Sequence, residues 1–151
     1  MKKAILIASD HAGFGLKEKI KPYLQKLGFR ADDLGTYSEE RCDYPEFAAK
    51  LAKRISRQKN GRGILICGSG IGVSIVANRF RGVRTAVCHN ILAAEFSRRH
   101  NDSNVLALGA RFAGLTLQKK IIKTWLETKF EGGRHGRRLN LIKKIEEETI
   151  R

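Results

Sequence analysis

The sequence predicts an α/β fold: a doubly wound parallel sheet of about five strands, packed in three α/β/α layers, with a further helix at the C-terminus. Two observations support this prediction. Short apolar runs, typical of strands buried on both faces, alternate with longer segments whose apolar residues recur at helical spacing. No repeat, low-complexity segment or linker divides the chain, so we expect a single domain over residues 1–151.

The first half of the chain contains three predicted strands and two predicted helices. The strands cover residues 4–8, 29–34 and 63–66, and the second is polar enough to lie near a sheet edge. The helices are indicated by apolar residues three or four positions apart, namely Leu16, Ile20, Tyr23 and Leu27, then Phe47, Leu51 and Ile55. In the first helix, Pro22 predicts a late start or a kink, and Gly28 is expected to end it. Lys17 falls on the polar faces of this helix.

The second half repeats the alternation. A helix is predicted from Gly72, followed by a buried strand over residues 83–88 and a short helix over residues 90–99. A strand over residues 105–108 precedes a longer helix marked by Leu115, Ile122, Trp125 and Leu126. Two glycines break that helix, and a last helix is predicted over residues 139–150.

The chain is strongly basic, with a formal net charge of +15 and a pI near 10.2. Such a charge suggests an anionic substrate or nucleic acid as partner, although we expect most of the Lys and Arg residues to be solvated. The sequence has no recognisable nucleic-acid module and no basic surface studded with aromatic residues. A nucleic-acid partner is therefore disfavoured, and a small anionic ligand is favoured.

Cysteine usage and hydropathy indicate the compartment. Three cysteines without a CxxC pair do not form a disulfide framework or a zinc site. The apolar stretch 4–8 is too short for a signal peptide, and no apolar run reaches membrane-spanning length. We expect a cytoplasmic protein that binds no membrane and no metal.

The segment from Gly63 to Ser74 joins a buried strand, a thiol at Cys67 and the glycine-rich turn Gly68–Gly72. The turn matches neither GxGxxG nor GxxxxGK[ST], so a dinucleotide or a nucleoside triphosphate is poorly supported. Its N–H groups suit a phosphate or a developing oxyanion, or the glycines serve only tight packing. Cys67 is either a base or nucleophile or a small buried apolar residue, and for Cys42 and Cys88 we favour a surface or packing role.

Other polar residues extend the candidate site. Asp10-His11 follows the first strand and His100-Asn101-Asp102 precedes the fifth, and we expect both turns to converge on the sheet edge that carries Cys67. Histidine suits proton transfer to sugar oxygens. Near the C-terminus, Arg134 and Arg138 would share one face of a helical turn and suit phosphate capture, unless this stretch is simply a solvated basic surface.

Five segments in order resemble the ribose-5-phosphate isomerase B family, which also contains the galactose-6-phosphate isomerase subunits. They are SDHAGFGLK from Ser9, DYP from Asp43, ICGSGIG from Ile66, SRRHNDSNVL from Ser97 and EGGRH from Glu131. The likeness runs from Met1 to about residue 145. It implies a Rossmann-like fold and a homodimer with shared active sites, with a tetramer left open. It also implies cofactor-free interconversion of D-ribose 5-phosphate and D-ribulose 5-phosphate.

The resemblance also implies roles for individual residues. Cys67 matches the catalytic base and His100 the ring-opening residue, while Ser69 stands where many relatives have Thr. Substrate contacts are implied for Asp10, His11 and Tyr44. Stabilisation of the enediolate oxygen is implied for Gly68, Ser69, Gly70, Ile71 and Gly72 together with Asn101, and phosphate binding for Arg111, Arg134, His135 and Arg138.

Three alternatives remain open from the sequence. The first is that the substrate is a six-carbon sugar phosphate, such as allose 6-phosphate or galactose 6-phosphate, because the motifs do not set the pocket length. A polyanion-binding protein is suggested by the charge alone. An inactive subunit of a hetero-oligomeric isomerase is disfavoured by the presence of Cys67, His100 and the arginines.

Overall fold

A computed structural model describes residues 2–149 and contains one five-stranded sheet with every strand pair parallel. The strands are β1 (Ala4–Ser9), β2 (Arg30–Asp33), β3 (Gly63–Cys67), β4 (Thr85–Val87) and β5 (Val105–Gly109), in the spatial order β2-β1-β3-β5-β4. The helices are α1 (Phe14–Lys26), α2 (Tyr44–Ser56), α3 (Ile71–Ala77), α4 (Ile91–Arg99), α5 (Leu115–Glu127) and α6 (Arg134–Thr149). The predicted α/β fold is confirmed.

The helices cover both faces of the sheet. Apolar residues of α1, α4 and α5 pack on one face and those of α2 and α3 on the other, so β3 and β5 are buried along their whole length. The strand order reverses between β1 and β3, which creates a crevice at their carboxyl ends. No helix within residues 2–149 has both the length and the apolar character needed to cross a membrane.

Three predictions about individual elements were wrong. Of the two alternatives predicted from Pro22, the late start is wrong, because helix α1 begins at Phe14 and runs through Pro22. Strand β4 is only three residues long and half-buried, because it pairs with β5 alone at the edge of the sheet. Helix α6 begins at Arg134, five residues before the predicted start, directly after Gly132 and Gly133 with φ of 71° and 56°. The predicted end of this helix at Ile150 lies outside the described residues.

Lys17 does not lie on a solvated face of α1 as predicted. Its side chain is fully buried, and its ammonium donates to Asp33 at the end of β2 at 2.5 Å. Burial raises the pKa of Asp33, but hydrogen bonds from Lys17, Lys21 and the Gly35 N–H outweigh it and hold the pKa below its usual range. The pair ties α1 to the start of the loop that leads to α2.

Replacing Leu106 by Ala tests the core packing. Leu106 is fully buried in β5, so we expect Leu106→Ala to lower the free energy of unfolding by about 2–5 kcal/mol through lost burial and the cavity left behind. Urea denaturation at one fixed protein concentration measures it. Leu117→Ala, at a position 36% exposed on α5, is the control and should cost much less. Equal losses in the two variants would contradict the packing described.

Asp32 and Asp33 are neighbours, so substitutions at these two positions give a matched test of the buried ion pair between Lys17 and Asp33. Asp33→Asn leaves the buried Lys17 ammonium with only the longer contact to Glu18, at 3.4 Å, and we expect a loss of about 3 kcal/mol at neutral pH. Asp32→Asn removes only the pair with the exposed Arg30 and should cost less than about 1 kcal/mol.

The pH dependence has a defined sign. Because the folded-state pKa of Asp33 is lowered, its stabilisation is present above the unfolded pKa and is lost as the pH falls through the folded pKa. The stabilities of the parent chain and Asp33→Asn should therefore converge below about pH 4. A constant difference down to lower pH would argue against an ionised Asp33.

Candidate active site

The turns after β1 and β3 meet at the crevice between these strands. The Asp10 N–H donates to the Ile66 carbonyl at 3.3 Å, and the Asp10 carboxylate accepts the Gly13 N–H at 3.0 Å. Gly13 lies so close to β3 that a Cβ there would stand 2.6 Å from the Ile66 carbonyl oxygen. Asp10 is therefore fixed beside the end of β3 and is only 6% exposed.

Cys67 ends β3, and the glycine loop folds over its sulfur. Cys67 is 5% exposed, and the Gly70 N–H donates to its Sγ at 3.1 Å. Gly70 has φ of 78°, and a Cβ there would stand 3.0 Å from the Leu108 carbonyl carbon in β5. Both features require glycine at this position. The hydrogen bond becomes charge-assisted when the sulfur is a thiolate.

Tyr44 and Arg111 flank the loop on two sides. The Tyr44 ring lies against Gly72, where a Cβ would stand 2.7 Å from the ring. The Arg111 guanidinium lies over Gly68, and the backbone N–H of Arg111 donates to the Gly68 carbonyl at 3.1 Å. An aromatic hydroxyl-bearing side chain and a guanidinium are thus placed around the Cys67 loop, where an anionic polar ligand could be held.

His11 joins this group through the loop before α2. Its Nδ1 lies 3.3 Å from the Cys42 N–H, which donates to it, and 3.9 Å from the Cys42 Sγ. We call Asp10, His11, Tyr44, Arg111 and the segment Cys67–Gly72 the carboxyl-edge group, because all follow the carboxyl ends of strands or contact residues that do.

A second cluster forms where α4 ends and α6 begins. The His100 and His135 rings stack with centroids 4.2 Å apart and planes at 11°. The Glu131 carboxylate lies 3.5 Å from His135 Nε2 and 3.9 Å from His100 Nε2, and Arg99 pairs with the same carboxylate. Arg134 and Arg138 are exposed one turn apart on α6, and Asn101 is exposed beside His100. We call His100, Asn101, Glu131 and the segment 134–138 the amino-edge group.

Burial and the neighbouring positive charges lower the pKa of His135, against the opposing effect of Glu131. Of these positive charges, those of His100 and Arg134 lower the pKa of His135 most. The Arg99 hydrogen bond holds the pKa of Glu131 below its usual range. His135 Nε2 is buried without a hydrogen-bond partner within the described part of the chain. With its pKa lowered, the imidazole of His135 supports the ring of His100 from one side.

His100, Glu131 and His135 each offer one potential metal-ligand atom, and these atoms lie within 4.8 Å of one another. Imidazole lone pairs lie in the ring plane, so two rings stacked at 11° direct them nearly parallel and not towards one point. Arg99 also occupies the carboxylate. The arrangement suits a hydrogen-bonding cluster better than a metal centre.

The expectation that His100-Asn101-Asp102 converges with Cys67 was wrong. Strand β5 is parallel to β3, with Val105 paired to Gly63 and Gly109 to Cys67. His100 precedes Val105 and therefore lies at the amino edge of the sheet, whereas Cys67 lies at the carboxyl edge, and β3 spans about 13 Å between these edges. Within one chain, the residues of the carboxyl-edge group lie close to one another, and so do those of the amino-edge group. The two groups, however, lie apart from each other.

The structure supports the role predicted for one further side chain and adds two residues for which no role was predicted. Burial raises the pKa of the Cys88 thiol to about 11, which fits the packing role favoured for it. Glu131 and Arg99 lie in segments that resemble the isomerase family, but no role was predicted for either residue. Glu131 has a signal in the sequence, since it is the one acidic residue beside the basic stretch from Arg134. The contact with Arg99 spans 32 positions and has no local signal.

Comparison with known proteins places this arrangement in a family. The sequence model of the ribose/galactose isomerase family matches residues 5–142. The chain is 46% identical over 145 residues to ribose-5-phosphate isomerase B of Escherichia coli, an alignment that covers 96% of this chain and 97% of the relative.

Solved structures give the same result. Ribose-5-phosphate isomerase B of Clostridium thermocellum matches with a TM-score of 0.92 and 47% identity, covering 96% of this chain and 98% of the other. The Mycoplasma genitalium enzyme, solved with bound ribulose-5-phosphate, matches with a TM-score of 0.93 and 41% identity, covering 99% of each chain. With its sequence matched along almost its whole length and its sheet reproduced in these structures, the chain belongs to the ribose/galactose isomerase family.

Proposed function

We propose that this chain is an isomerase that interconverts D-ribose 5-phosphate and D-ribulose 5-phosphate without a cofactor. The observation that carries the proposal is the buried Cys67 sulfur under a loop of N–H donors at the crevice between β1 and β3. The full-length similarity to ribose-5-phosphate isomerase B, including a structure with bound ribulose-5-phosphate, supports the choice of substrate.

The complete site is built by two chains in this proposal. The carboxyl-edge group of one subunit faces the amino-edge group of its partner, because a single chain holds the two groups at opposite edges of the sheet. A homodimer with two-fold symmetry supplies both halves of both sites. Exposed apolar residues on α3 and α6 offer surface for such contacts: Ile71, Ile75, Leu141, Ile142 and Ile145.

Catalysis starts with opening of the furanose ring. His100 of the amino-edge group accepts the proton from the O1 hydroxyl and supplies a proton to O4 as the C1–O4 bond breaks, which leaves an aldehyde at C1. The stack on His135 and the contact with Glu131 hold the imidazole of His100 in one orientation. The lowered pKa of His135 disfavours a positive charge on the ring that stacks on His100.

The isomerisation itself takes place at Cys67. Its thiolate removes the proton from C2, a C1–C2 double bond forms, and negative charge develops on O1. The thiol then returns the proton to C1 while the O2 proton passes to O1, which leaves a ketone at C2. The substrate is oxidised at C2 and reduced at C1, so no external oxidant or reductant is needed.

The glycine loop supplies hydrogen-bond donors for the charge on O1. Within the described residues, the Gly70 and Ile71 N–H groups already donate to Cys67 Sγ and Ser69 Oγ. The N–H groups of Gly68, Ser69 and Gly72 are therefore the ones left for the substrate, with Asn101 of the partner subunit completing the set. Each such donor is worth about 2.7–4 kcal/mol of barrier in comparable sites.

The phosphate is held at the other end of the sugar. Arg134 and Arg138 project from the first turns of α6 and bind the phosphate when two subunits meet, and Arg111 is proposed to approach it from beside the glycine loop. Asp10, His11 and Tyr44 contact the sugar hydroxyls between the two ends. Binding of the phosphate positions C2 against the sulfur and lowers the entropic part of the barrier. The three free cysteines fit a reducing, cytoplasmic setting.

An assay of the purified protein on a panel of sugar phosphates tests the activity. We expect higher kcat/KM on ribose 5-phosphate than on allose 6-phosphate or galactose 6-phosphate. Cys67→Ala should lower kcat by at least about a thousandfold, because the base is removed. Cys88→Ala is the matched control, since its thiol is also buried but stays protonated. Near-normal turnover by folded Cys67→Ala would exclude this mechanism, and a preference for a six-carbon phosphate would change the substrate.

Mixing two inactive variants tests the shared site. Cys67→Ala and His100→Ala should each be inactive alone. After subunit exchange, a mixed dimer has one site with both changes and one with neither, so an equal mixture should recover about a quarter of the parent activity. Active-site titration and kcat measure the recovery.

The control mixture is Cys67→Ala with Tyr44→Phe/Cys67→Ala. Both chains lack the same sulfur, so no intact site can form and no activity should return. If the Cys67→Ala and His100→Ala chains exchange subunits but recover nothing, the site lies within one chain or uses a different partner geometry, and the shared-site proposal fails.

A further inference from the structure

A cleft opens at the amino edge of the sheet, with a volume of about 1040 Å³. Its walls come from the start of β1, the turn between α2 and β3, the segment before β4, the end of α4 and the segment after α5. Among the described residues that line it, none belongs to the carboxyl-edge group or to the amino-edge group. The proposed isomerase chemistry leaves this cleft unused.

The charge of the cleft is strongly positive. Six of its lining residues are cationic and two are acidic, Asp102 and Glu127, so six minus two leaves an excess of four positive charges. The cationic residues are Lys3, Lys59, Arg62, Arg84, Arg98 and Lys129. A concave surface with one dominant sign of charge concentrates counter-ions of the opposite sign.

Two arginines are held rigidly in the depth of the cleft. The guanidinium carbons of Arg62 and Arg98 lie 5.7 Å and 5.9 Å from the centre of the same Trp125 ring. Arg98 is 4% exposed, pairs with Asp102 at 2.8 Å and donates to the Ser103 carbonyl at 2.6 Å. Its position is therefore set by the protein, and Asp102 compensates its charge.

Arg62 has no directly paired carboxylate within the described residues. Its Nη1 donates to the Leu126 carbonyl at 2.9 Å, and within residues 2–149 no carboxylate oxygen lies within 4.0 Å of its guanidinium. Burial lowers the pKa of Arg62, repulsion by Arg98 lowers it further, and the Asp102 carboxylate offsets only part of this. Arginine stays charged despite such a shift, so a half-buried cation with unused N–H donors faces the cleft.

We propose that this cleft binds a small molecule that carries a diphosphate group and has the size of a nucleoside diphosphate. A diphosphate brings three negative charges at neutral pH, close to the excess of four, and its oxygens accept paired hydrogen bonds from a guanidinium. Arg62 binds one phosphate from the depth of the cleft, while Lys59 and Lys129 reach the other from the exposed rim. The volume exceeds what a sugar monophosphate fills, which favours the larger ligand.

Isothermal titration calorimetry with ADP and with inorganic pyrophosphate, on the full chain at physiological ionic strength, tests the proposal. We expect saturable binding at one site per chain. Arg62→Gln should weaken it by about tenfold or more, since a charge-assisted hydrogen bond is lost, and should leave isomerase activity unchanged. Arg79→Gln is the matched control: Arg79 also donates from Nη1 to one backbone carbonyl, at 2.8 Å, but lies exposed outside the cleft.

A second variant keeps the test decisive if Arg62→Gln does not fold. Lys59→Gln/Lys129→Gln changes two exposed side chains at the rim and should weaken binding several-fold with the fold intact, as circular dichroism checks. Absence of binding to the parent chain, or equal binding by all variants, would overturn the proposal. So would loss of binding in Arg134→Gln together with displacement by ribose 5-phosphate, because that result places the anion at the isomerase site. The isomerase assay is a separate readout, so either proposal can fail alone.

Discussion

The parallel pairing of β3 with β5 is the constraint on which the placement of every functional side chain depends. In a parallel sheet, the residues that come after each strand lie at one edge, and the residues that come before each strand lie at the other. Cys67 ends β3 and His100 precedes β5, so the two side chains lie at opposite edges of the sheet within one chain. In the reaction that we propose, these two residues therefore come from different chains, so that assembly completes the site.

The sequence alone predicted those features that depend on local patterns. The buried runs of β1, β3 and β5 are apolar at nearly every position, and the glycine turn after Cys67 has a composition that only a tight turn needs. Asn90 begins α4 as an N-cap by accepting the Ala93 N–H, in line with the predicted helix boundary. These features involve neighbours close in sequence, which is why residue order was enough to find them.

The features that were missed involve partners far apart in sequence. Lys17 has the composition of a solvated helix residue, and only Asp33, 16 positions later, makes its burial stable. The width of a sheet is equally hidden, so β4 could not be recognised as an edge strand from its own residues. His100 was misplaced because the prediction considered which polar residues lie near strand ends without asking which end each one lies at.

Charge is distributed less evenly than the composition suggested. Lys17 and Arg98 are buried and Arg62 is half-buried, so part of the excess positive charge lies inside the protein. Each buried cation has a different environment: a carboxylate pair for Lys17, a single shared carboxylate for Arg98, and no directly paired carboxylate in the described chain for Arg62. Lys17 pairs with Asp33 at the end of β2, whereas Arg62 and Arg98 line the cleft at the amino edge.

The packing of Gly70 against β5 has a further consequence for the chemistry at the sulfur. Because Gly70 and Gly109 leave no space between the loop and the sheet, the loop dipoles cannot rotate far when charge appears on a bound sugar. In water, most of the cost of creating such a charge is the reorientation of solvent molecules. In the reaction that we propose, a loop fixed in this way reorients less than solvent does, and the packing that fixes it depends on residues without a Cβ.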